Sequence, residues 1–277
     1  MKNFKVSRII THDTTFHADE VFAVALLKIC GFHEVPVIRT RRKEILEDAL
    51  LDPTAFVIDV GGSYNPGMLN FDHHQDTSLP SAAGLIWKMM NYCFHDDLIP
   101  HFDAFFAAID AVDTNRDNIY ELLHTLPEGF RNASSIISGF NRDVTDPQEQ
   151  KEQFNDAVNV AMMILQNEHH SAIEHVRSEK EYADREILPN GVAVFKTFNT
   201  IWKKKDDHTF AVMPHANGWQ IQSRDTALAV VPENVSECEG FIFRHGSGFM
   251  ATVKDFEVAV EFARSILTED PELPFNY

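Results

Sequence analysis

Two clusters of histidine and carboxylate residues lie far apart in the chain, and each follows an apolar segment. One occupies residues 12–20 and follows the β-branched run 6–10; the other is Asp72-His73-His74, a short stretch after residues 55–59. Imidazole and carboxylate are ligands of Mn, Zn and Fe, and two such ions sharing a bridging carboxylate need about six or seven of them. The first part of the chain supplies such a set, which predicts a dinuclear metal site.

The candidate bridging ligand is Asp59, at the end of a predicted hydrophobic strand. From that rigid position both of its oxygens can point into a cleft; the alternative is an aspartate that caps the turn before Gly61. Asp113 ends the segment Asp110-Ala-Val-Asp113 at a predicted helix C-terminus. A carboxylate there faces the negative end of the helix dipole, so a cation would compensate it. The alternative for Asp113, and still more for Asp110, is an ordinary exposed aspartate.

His12 and His17 are five positions apart, so they face one ion only from a loop between a strand and a helix. Asp19 begins that helix, where it serves either as N-cap or as metal ligand, and we favour the ligand. Adjacent histidines point in different directions. Of His73 and His74, one is therefore predicted to bind metal and the other to contact substrate.

The order of predicted elements positions these residues. Strands ending near Thr11, at 35–38 and at 55–60 alternate with helices at 19–29 and 42–50, which implies a parallel sheet with ligands at the carboxyl ends of its strands. Helices at 81–91 and 98–112 follow. A long helix from 148 toward 184, four short strands and a last helix at 254–267 complete the chain. We expect an α/β fold with a metal-binding catalytic domain (1–147), a linker helix (148–185) and a smaller α+β substrate-binding domain (186–277).

The 277 residues are 44% hydrophobic and carry a formal net charge of -18. This charge repels polyanions and argues against coating of duplex nucleic acid, although two divalent cations would reverse the potential locally for a phosphate substrate. No run of about 18 apolar residues occurs, so we expect a soluble, cytoplasmic protein without a membrane partner. Cys30, Cys93 and Cys238 form no C-x-x-C pair and are predicted to be buried thiols. The pair His169-His170 is predicted to be solvated.

Two segments of the second half suggest substrate contacts. The first is a glycine-containing loop whose N–H groups would cradle an anion, with a turn that binds no ligand as the alternative; it comprises Arg244, His245, Gly246, Ser247 and Gly248. The second is Trp202 beside Lys203, followed by two more lysines, which suits stacking of a base and pairing of a phosphate. Its alternative is a basic surface loop, and Arg39 and its basic neighbours are further candidates for phosphate contacts.

The order of these ligands resembles that of the DHH phosphoesterase superfamily and, more closely, the MYG family of metal-dependent exonucleases. The similarity spans nearly the whole chain. The motifs that carry it are Thr11-His12-x-x-Thr15-Phe16-His17-x-Asp19-Glu20, Ile58-Asp59-Val60-Gly61-Gly62, Phe71-Asp72-His73-His74-Gln75 and Asp110-Ala-Val-Asp113, and it continues through Ser81-Ala-Ala-Gly84, Trp202-Lys203, Trp219-Gln220 and His245-Gly-Ser-Gly-Phe249.

The resemblance implies a two-domain fold with chemistry in the cleft between the domains. It places one metal on His12, His17 and Asp59. It places the second metal on Asp19, Asp59, His73 and Asp113, with His74 at the phosphate. Asp59, Asp72 and His74 are the expected catalytic residues. Where many superfamily members have an aspartate this chain has His17, which matches the MYG pattern and bears on metal preference.

We therefore expect a hydrolase that cleaves phosphodiester bonds in short or single-stranded RNA or DNA, as an exonuclease, with a water activated by two metal ions. Manganese is the first candidate, with Mg, Zn and Fe as alternatives. A small-molecule phosphatase, a pyrophosphatase or a nucleotide phosphodiesterase would use the same site. The third candidate function is that of a non-catalytic nucleotide or metal sensor. The protein is also a candidate homo-oligomer.

Overall fold

The computed structural model describes residues 5–142, 145–205 and 207–266, and the chain divides into two compact units, Met1–Ala172 and Ile173–Tyr277. Each unit has its own β-sheet with helices, so the expected mixed α/β class is confirmed. The division falls within the longest helix, and the predicted linker at 148–185 stays a prediction. Among the described residues, no helix is both long and apolar enough to cross a membrane.

The first unit contains a five-stranded sheet in the order β2-β1-β3-β5-β4, parallel except for the edge strand β4. All four residues of β3 are buried, because helices cover both faces of such a sheet and its inner strands read as continuous apolar runs. The strands are β1 (Arg8–Thr11), β2 (Val37–Arg39), β3 (Ala55–Ile58), β4 (Tyr64–Asn65) and β5 (Asn70–Phe71).

The helices of this unit include α1, whose ten residues are all buried and which packs against α3. After Leu27, α1 continues into a π-helical turn, Lys28–Phe32, in which Gly31 takes a positive φ of 106° and ends the helical run. The helices are α1 (Ala18–Leu27), α2 (Lys43–Leu50), α3 (Ala82–Met90), α4 (Ile99–Asp113), α5 (Ile119–His124), α6 (Ala133–Ser138) and α7 (Pro147–Ala183), the last of which crosses the division between the units.

The second unit contains a six-stranded sheet in the order β10-β11-β9-β8-β7-β6, in which only the β7–β8 pair is parallel. Helix α8 packs against β8, β9 and β11, and its buried face joins the apolar core of this sheet. The elements are β6 (Glu186–Ile187), β7 (Ala193–Val194), β8 (Phe210–His215), β9 (Gly218–Ser223), β10 (Phe241–Arg244), β11 (Met250–Val253) and α8 (Phe256–Ser265). Leu267, the predicted end of the last helix, lies outside the described residues.

The expectation of three buried thiols is wrong. Cys93 is exposed, and Cys30 and Cys238 are partly buried. The first two lie in turns that follow helices, where helix-on-helix packing no longer covers a side chain. His169, predicted to be solvated with His170, is half-buried, whereas His170 is exposed.

His208 is a buried histidine of the second unit with a hydrogen bond at each ring nitrogen. Its Nε2 accepts a hydrogen bond from the Arg185 guanidinium (2.6 Å), and its Nδ1 donates to the Gly191 carbonyl (2.7 Å). Burial, followed by the charge of Arg185, lowers the pKa of His208, although the Gly191 contact opposes the shift. A proton on Nε2 would remove the Arg185 hydrogen bond and place two cations side by side.

The second unit should therefore lose stability in acid. A lowered folded-state pKa contributes stability that is present above the unfolded value of about 6.5 and is lost as the pH falls below it. We expect thermal unfolding between pH 7.5 and pH 5 to show this loss in the wild type and a weaker pH dependence in His208→Gln. Equal pH dependence in the two proteins would contradict this role of His208.

Candidate metal centre

The two histidine and carboxylate clusters meet at one edge of the first unit's sheet. His12 follows β1, Asp59 follows β3, and Asp72 follows β5. Because β1, β3 and β5 are adjacent and parallel, their carboxyl ends lie together, and α1 begins at the same edge. The topology of the sheet thus brings side chains from segments that are far apart in sequence into one group.

Asp59 lies at the middle of this group. Its φ of 57° is in the left-handed region, which aspartate tolerates better than most residues, and its side chain is 3% exposed. Asp59 Oδ2 is 3.3 Å from His12 Nε2, and Asp59 Oδ1 is 3.3 Å from His73 Nε2. The two carboxylate oxygens therefore face different histidines, as a ligand shared between two ions must.

His12 presents its Nε2 to two carboxylates. Its Nδ1 donates to the Asp13 carbonyl (3.0 Å), and its Nε2 lies 3.0 Å from Glu20 Oε1. Burial lowers the pKa of His12, but the carboxylates of Asp59 and Glu20 outweigh burial and raise it to about 10. With Nδ1 fixed by the carbonyl, Nε2 is the atom that a metal ion would take in place of the proton.

Glu20 is a candidate ligand that the sequence did not single out. Its two carboxylate oxygens accept hydrogen bonds from the His17 backbone N–H (3.0 and 2.9 Å), the ordinary contact of a glutamate three residues into a helix. The side chain is, however, fully buried. The apolar character of α1 on all faces was the available signal, since a glutamate in such a helix cannot reach water.

Asp19 is a buried carboxylate. Among the described residues, neither of its oxygens has a hydrogen-bond partner, and the same is true of Asp59 Oδ1. Burial, then the charges of Asp59, Glu20 and Asp113, raise the pKa of Asp19 well above its usual range, and burial also raises the pKa of Asp113. An unpaired buried carboxylate is costly, and divalent cations among these oxygens would remove the cost. The residues present fit metal ions.

In the part of the chain that the structure describes, three sets of side chains are close enough to hold a cation. Within each set one ligand atom per residue lies within 4.8 Å of the others, and Asp59 and His17 each belong to two sets. All six predicted metal ligands are among them. The sets are His12, His17, Glu20 and Asp59; Asp59, His73 and His74; and His17, Asp19 and Asp113. His73 Nε2 also lies 3.4 Å from Asp113 Oδ2 and 3.8 Å from Asp19 Oδ2.

Asp72 acts through His74. Asp72 Oδ1 accepts hydrogen bonds from the His74 ring Nδ1 (2.7 Å) and backbone N–H (3.0 Å), and Oδ2 accepts from the Gly62 N–H (2.7 Å). The His74 side chain is 64% exposed. Asp72 is therefore a positioning residue, and it leaves the His74 Nε2 as the nitrogen available to a ligand.

A cavity of about 330 Å³ opens beside the ligands, a volume within the range of small-molecule sites. His17, Asp59, His73, His74 and Asp113 line one part of it. The other lining residues include Tyr120 of α5 and Ser134 and Ser138 of α6. The sequence did not indicate these three, because they follow no motif and come from short helices.

Asp110, one turn before Asp113 in α4, belongs to none of the three sets. Its carboxylate accepts a hydrogen bond from the Ser81 hydroxyl, and burial raises its pKa. A Cβ on Gly84 would lie 2.4 Å from Asp110 Oδ2. Glycine at 84 therefore allows α3 to approach α4 closely enough for the Ser81 contact, which fixes the helix that carries Asp113.

Gly84→Ala should consequently unfold more easily than the wild type. The added methyl group displaces a buried carboxylate, and overpacking of this kind costs about 1–3 kcal/mol. The matched control is Gly67→Ala, whose Cβ would meet its nearest neighbour at 3.4 Å, an ordinary contact. Urea unfolding of both variants measures the difference, and equal stability would show that α3 and α4 separate without cost.

Comparison with known proteins shows which family the chain belongs to. Residues 8–223 match the model of the MYG1 exonuclease family, which is described as an uncharacterised protein family, UPF0160. The chain belongs to the MYG1 family. The match covers the whole candidate centre, and the resemblance to this family that the motifs indicated is confirmed.

Relatives in the MYG1 family align over most of the chain. A MYG1 protein of Schizosaccharomyces pombe is 26% identical over 322 residues, covering 94% of this chain and 97% of the relative. The human MYG1 exonuclease is 26% identical over 349 residues, covering 96% and 87%. Among solved structures, a pGpG-specific phosphodiesterase from Vibrio cholerae aligns with 92% of this chain and 94% of its own, at 13% identity and a TM-score of 0.36.

Trp202 of this MYG1 chain does not present a surface for a base. The residue is fully buried in a cluster with Tyr182, Phe195 and other apolar side chains, so the predicted stacking of a base on it is wrong. Burial was not visible in the sequence, because the three lysines that follow suggested a surface loop. Lys203 lies over the Phe249 ring, 4.5 Å from the ring centroid.

The predicted anion loop is the turn of the β10–β11 hairpin. The His245 N–H donates to the Met250 carbonyl (2.9 Å), and the Gly248 N–H donates to the His245 carbonyl (2.8 Å). The Ser247 N–H donates to His245 Nδ1 (3.2 Å). The turn thus uses these N–H groups itself. Arg244 donates to the Val231 carbonyl, and Gly246 has open space around it.

Arg39 supports the β1–α1 loop. Its guanidinium donates to the carbonyls of His12 (3.1 Å) and Thr14 (2.7 Å) and lies 4.6 Å from the centroid of the Phe154 ring. Burial lowers the pKa of Arg39. These contacts fix the backbone from which His12 projects, so Arg39 is a positioning residue of the MYG1 centre, whereas the sequence suggested a phosphate contact.

Proposed function

We propose that the chain is a metal-dependent phosphodiester hydrolase that acts as an exonuclease on short or single-stranded RNA or DNA, and that it belongs to the DHH phosphoesterase superfamily. The observation that carries this proposal is the buried Asp19 carboxylate, which accepts no hydrogen bond from the described residues, next to an Asp59 whose two oxygens face different histidines beside a cavity. The human relative is named an exonuclease, and this name supports phosphodiester hydrolysis as the class of reaction.

Two ligand sets would share Asp59. His12, His17 and Glu20 would complete the first, and Asp19, His73 and Asp113 would complete the second. Divalent cations bound there would supply Lewis acidity and lower the pKa of a bound water to near neutrality. Mixed imidazole and carboxylate ligands suit Mn first, with Mg, Zn or Fe as alternatives.

His74 would contact the scissile phosphate. Asp72 accepts the hydrogen bond of Nδ1, so the Nε2 is the ring nitrogen left to face a non-bridging oxygen, where negative charge develops during hydrolysis. Loss of Asp72 should therefore reduce turnover through a misdirected imidazole while leaving the ligand sets in place.

A small phosphoester is the second candidate substrate. The cavity of about 330 Å³ suits a small ligand, and the net charge of -18 disfavours a long polyanion. The test compares rates of hydrolysis by the Mn-loaded protein for a series of single-stranded oligonucleotides, a dinucleotide and pyrophosphate. This comparison separates an exonuclease from a small-molecule phosphoesterase. Preference for oligonucleotides supports the exonuclease, whereas turnover confined to pyrophosphate overturns it.

Tyr120 is placed to contact the nucleoside part of a substrate. The residue is 44% exposed and lines the cavity together with the metal-ligand candidates. Stacking of a base on an aromatic ring contributes about 1–3 kcal/mol. Tyr120→Ala should raise KM for an oligonucleotide by about 5- to 140-fold, with Tyr120→Phe close to wild type. An equal loss for both variants would assign the effect to the hydroxyl group instead.

A further inference from the structure

A second cavity of the first unit, about 240 Å³ in volume, lies among residues outside the metal centre. Two of the three cysteines line it, together with Phe94, Leu165 and His169. In sequence Cys30 and Cys93 are widely separated, and their spacing indicates no pairing. The fold brings both thiols to one surface.

Helix packing explains this proximity. Cys30 lies three residues beyond the end of α1, in the π-helical turn, and Cys93 lies three residues beyond the end of α3. Helices α1 and α3 pack against each other, and residues of the turns that follow them line the same cavity. Single π-helical turns are frequent at functional sites.

The two thiols line the same cavity and differ in exposure. Burial, followed by the neighbouring Cys93, raises the pKa of the Cys30 thiol. Cys93 is exposed and Cys30 is partly buried. An exposed thiol beside a second, protected thiol is the arrangement in which a first oxidation is followed by disulfide closure.

We propose that Cys30 and Cys93 form a redox-sensitive pair that closes to an intramolecular disulfide when the protein meets hydrogen peroxide. The Cys93 sulfur attacks one peroxide oxygen, the O–O bond breaks, and Cys93 becomes a sulfenic acid with release of one water. The Cys30 sulfur then attacks the Cys93 sulfur, and the S–O bond breaks. The Cys30 proton leaves with the hydroxyl group as a second water, so two thiols are oxidised and one peroxide is reduced.

The disulfide would enclose residues 30–93, a segment that contains β3, β5 and the ligands Asp59 and His73. Closing a loop of this length removes freedom from the unfolded chain and stabilises the folded one. We expect the oxidised protein to melt about 5 °C or more above the reduced protein, and dithiothreitol to reverse the shift.

The test uses the full chain treated with a small excess of hydrogen peroxide, followed by alkylation, digestion without reductant and mass spectrometry. The expected product is a peptide pair joined through Cys30 and Cys93, formed equally in Cys238→Ser, the matched control from the second unit. Cys93→Ser, a change at an exposed position, should give neither the cross-link nor the shift in melting temperature.

Three outcomes would overturn the proposal. Cys93 found as sulfinic acid with Cys30 still reduced would show that the second thiol does not reach the first. Covalent dimers joined through Cys93 would show that exposure alone governs its reaction. A melting temperature that rises equally in Cys93→Ser would assign the stabilisation to another oxidised residue. None of these results depends on phosphodiester hydrolysis.

Discussion

Asp59→Asn is expected to lose both metal binding and phosphodiester hydrolysis while keeping its fold. Asparagine has the same size but no charge, and it offers one oxygen where Asp59 offers two that face His12 and His73. Both ligand sets would lose their shared member. Changes outside the ligand shell typically cost about 10- to 100-fold in metal affinity or activity, and removal of a shared ligand should cost more than about 100-fold.

Metal titration by calorimetry and initial rates on a labelled oligonucleotide measure this effect. The control is Asp48→Asn, an aspartate of the same unit whose side chain is 69% exposed and pairs with Arg8 on the surface. It should bind metal and turn over as the wild type does. Manganese-dependent hydrolysis retained by Asp59→Asn would remove the basis for a bridged pair of ions.

Asp19→Asn should produce opposite effects on the metal-free and metal-loaded protein. Without metal, Asp19 is a fully buried carboxylate near Asp59, Glu20 and Asp113, and burial with these charges raises its pKa. A raised folded-state pKa means that stability is present at low pH and is lost as the pH rises through that value. Asparagine does not titrate, so the metal-free variant should be more stable than the wild type at pH 7.5.

The gain in the free energy of unfolding should be about 1.4 kcal/mol for each unit by which the pKa of Asp19 is higher in the folded than in the unfolded protein. Only the part of that difference that lies below the pH of the measurement counts. Added Mn should stabilise the wild type strongly and the variant little, because ligand binding stabilises only the form that binds. Thermal unfolding at pH 5 and 7.5, in chelator and in Mn, gives the comparison. A metal-free Asp19→Asn that melts below the wild type at pH 7.5 would show that Asp19 has a structural partner.

Much of the centre could be predicted because its residues follow strands. Apolar runs predict strands, alternation with helices predicts a parallel sheet, and parallel strands deliver His12, Asp59 and Asp72 to one edge. The sequence does not identify Glu20 as a metal ligand, because a glutamate in the first turn of a helix has an ordinary capping function. Only the burial of the whole of α1 distinguishes it from a surface residue.

The errors concern burial and distant contacts. Trp202 is in the core although lysines follow it, and Cys93 is exposed although it was predicted to be buried. The approach of Cys30 to Cys93 depends on how α1 and α3 pack. Local sequence determines which backbone a segment adopts, whereas these features depend on what the rest of the chain places against it.

Anomalous diffraction from crystals grown with Mn²⁺ tests the central claim most directly. We expect two Mn peaks on either side of the Asp59 carboxylate, one among His12, His17 and Glu20 and the other near Asp19, His73 and Asp113. Both peaks should be absent from Asp59→Asn crystals grown in the same way. Manganese bound elsewhere on the chain, with no peak beside Asp59 in the wild type, would contradict the proposed centre.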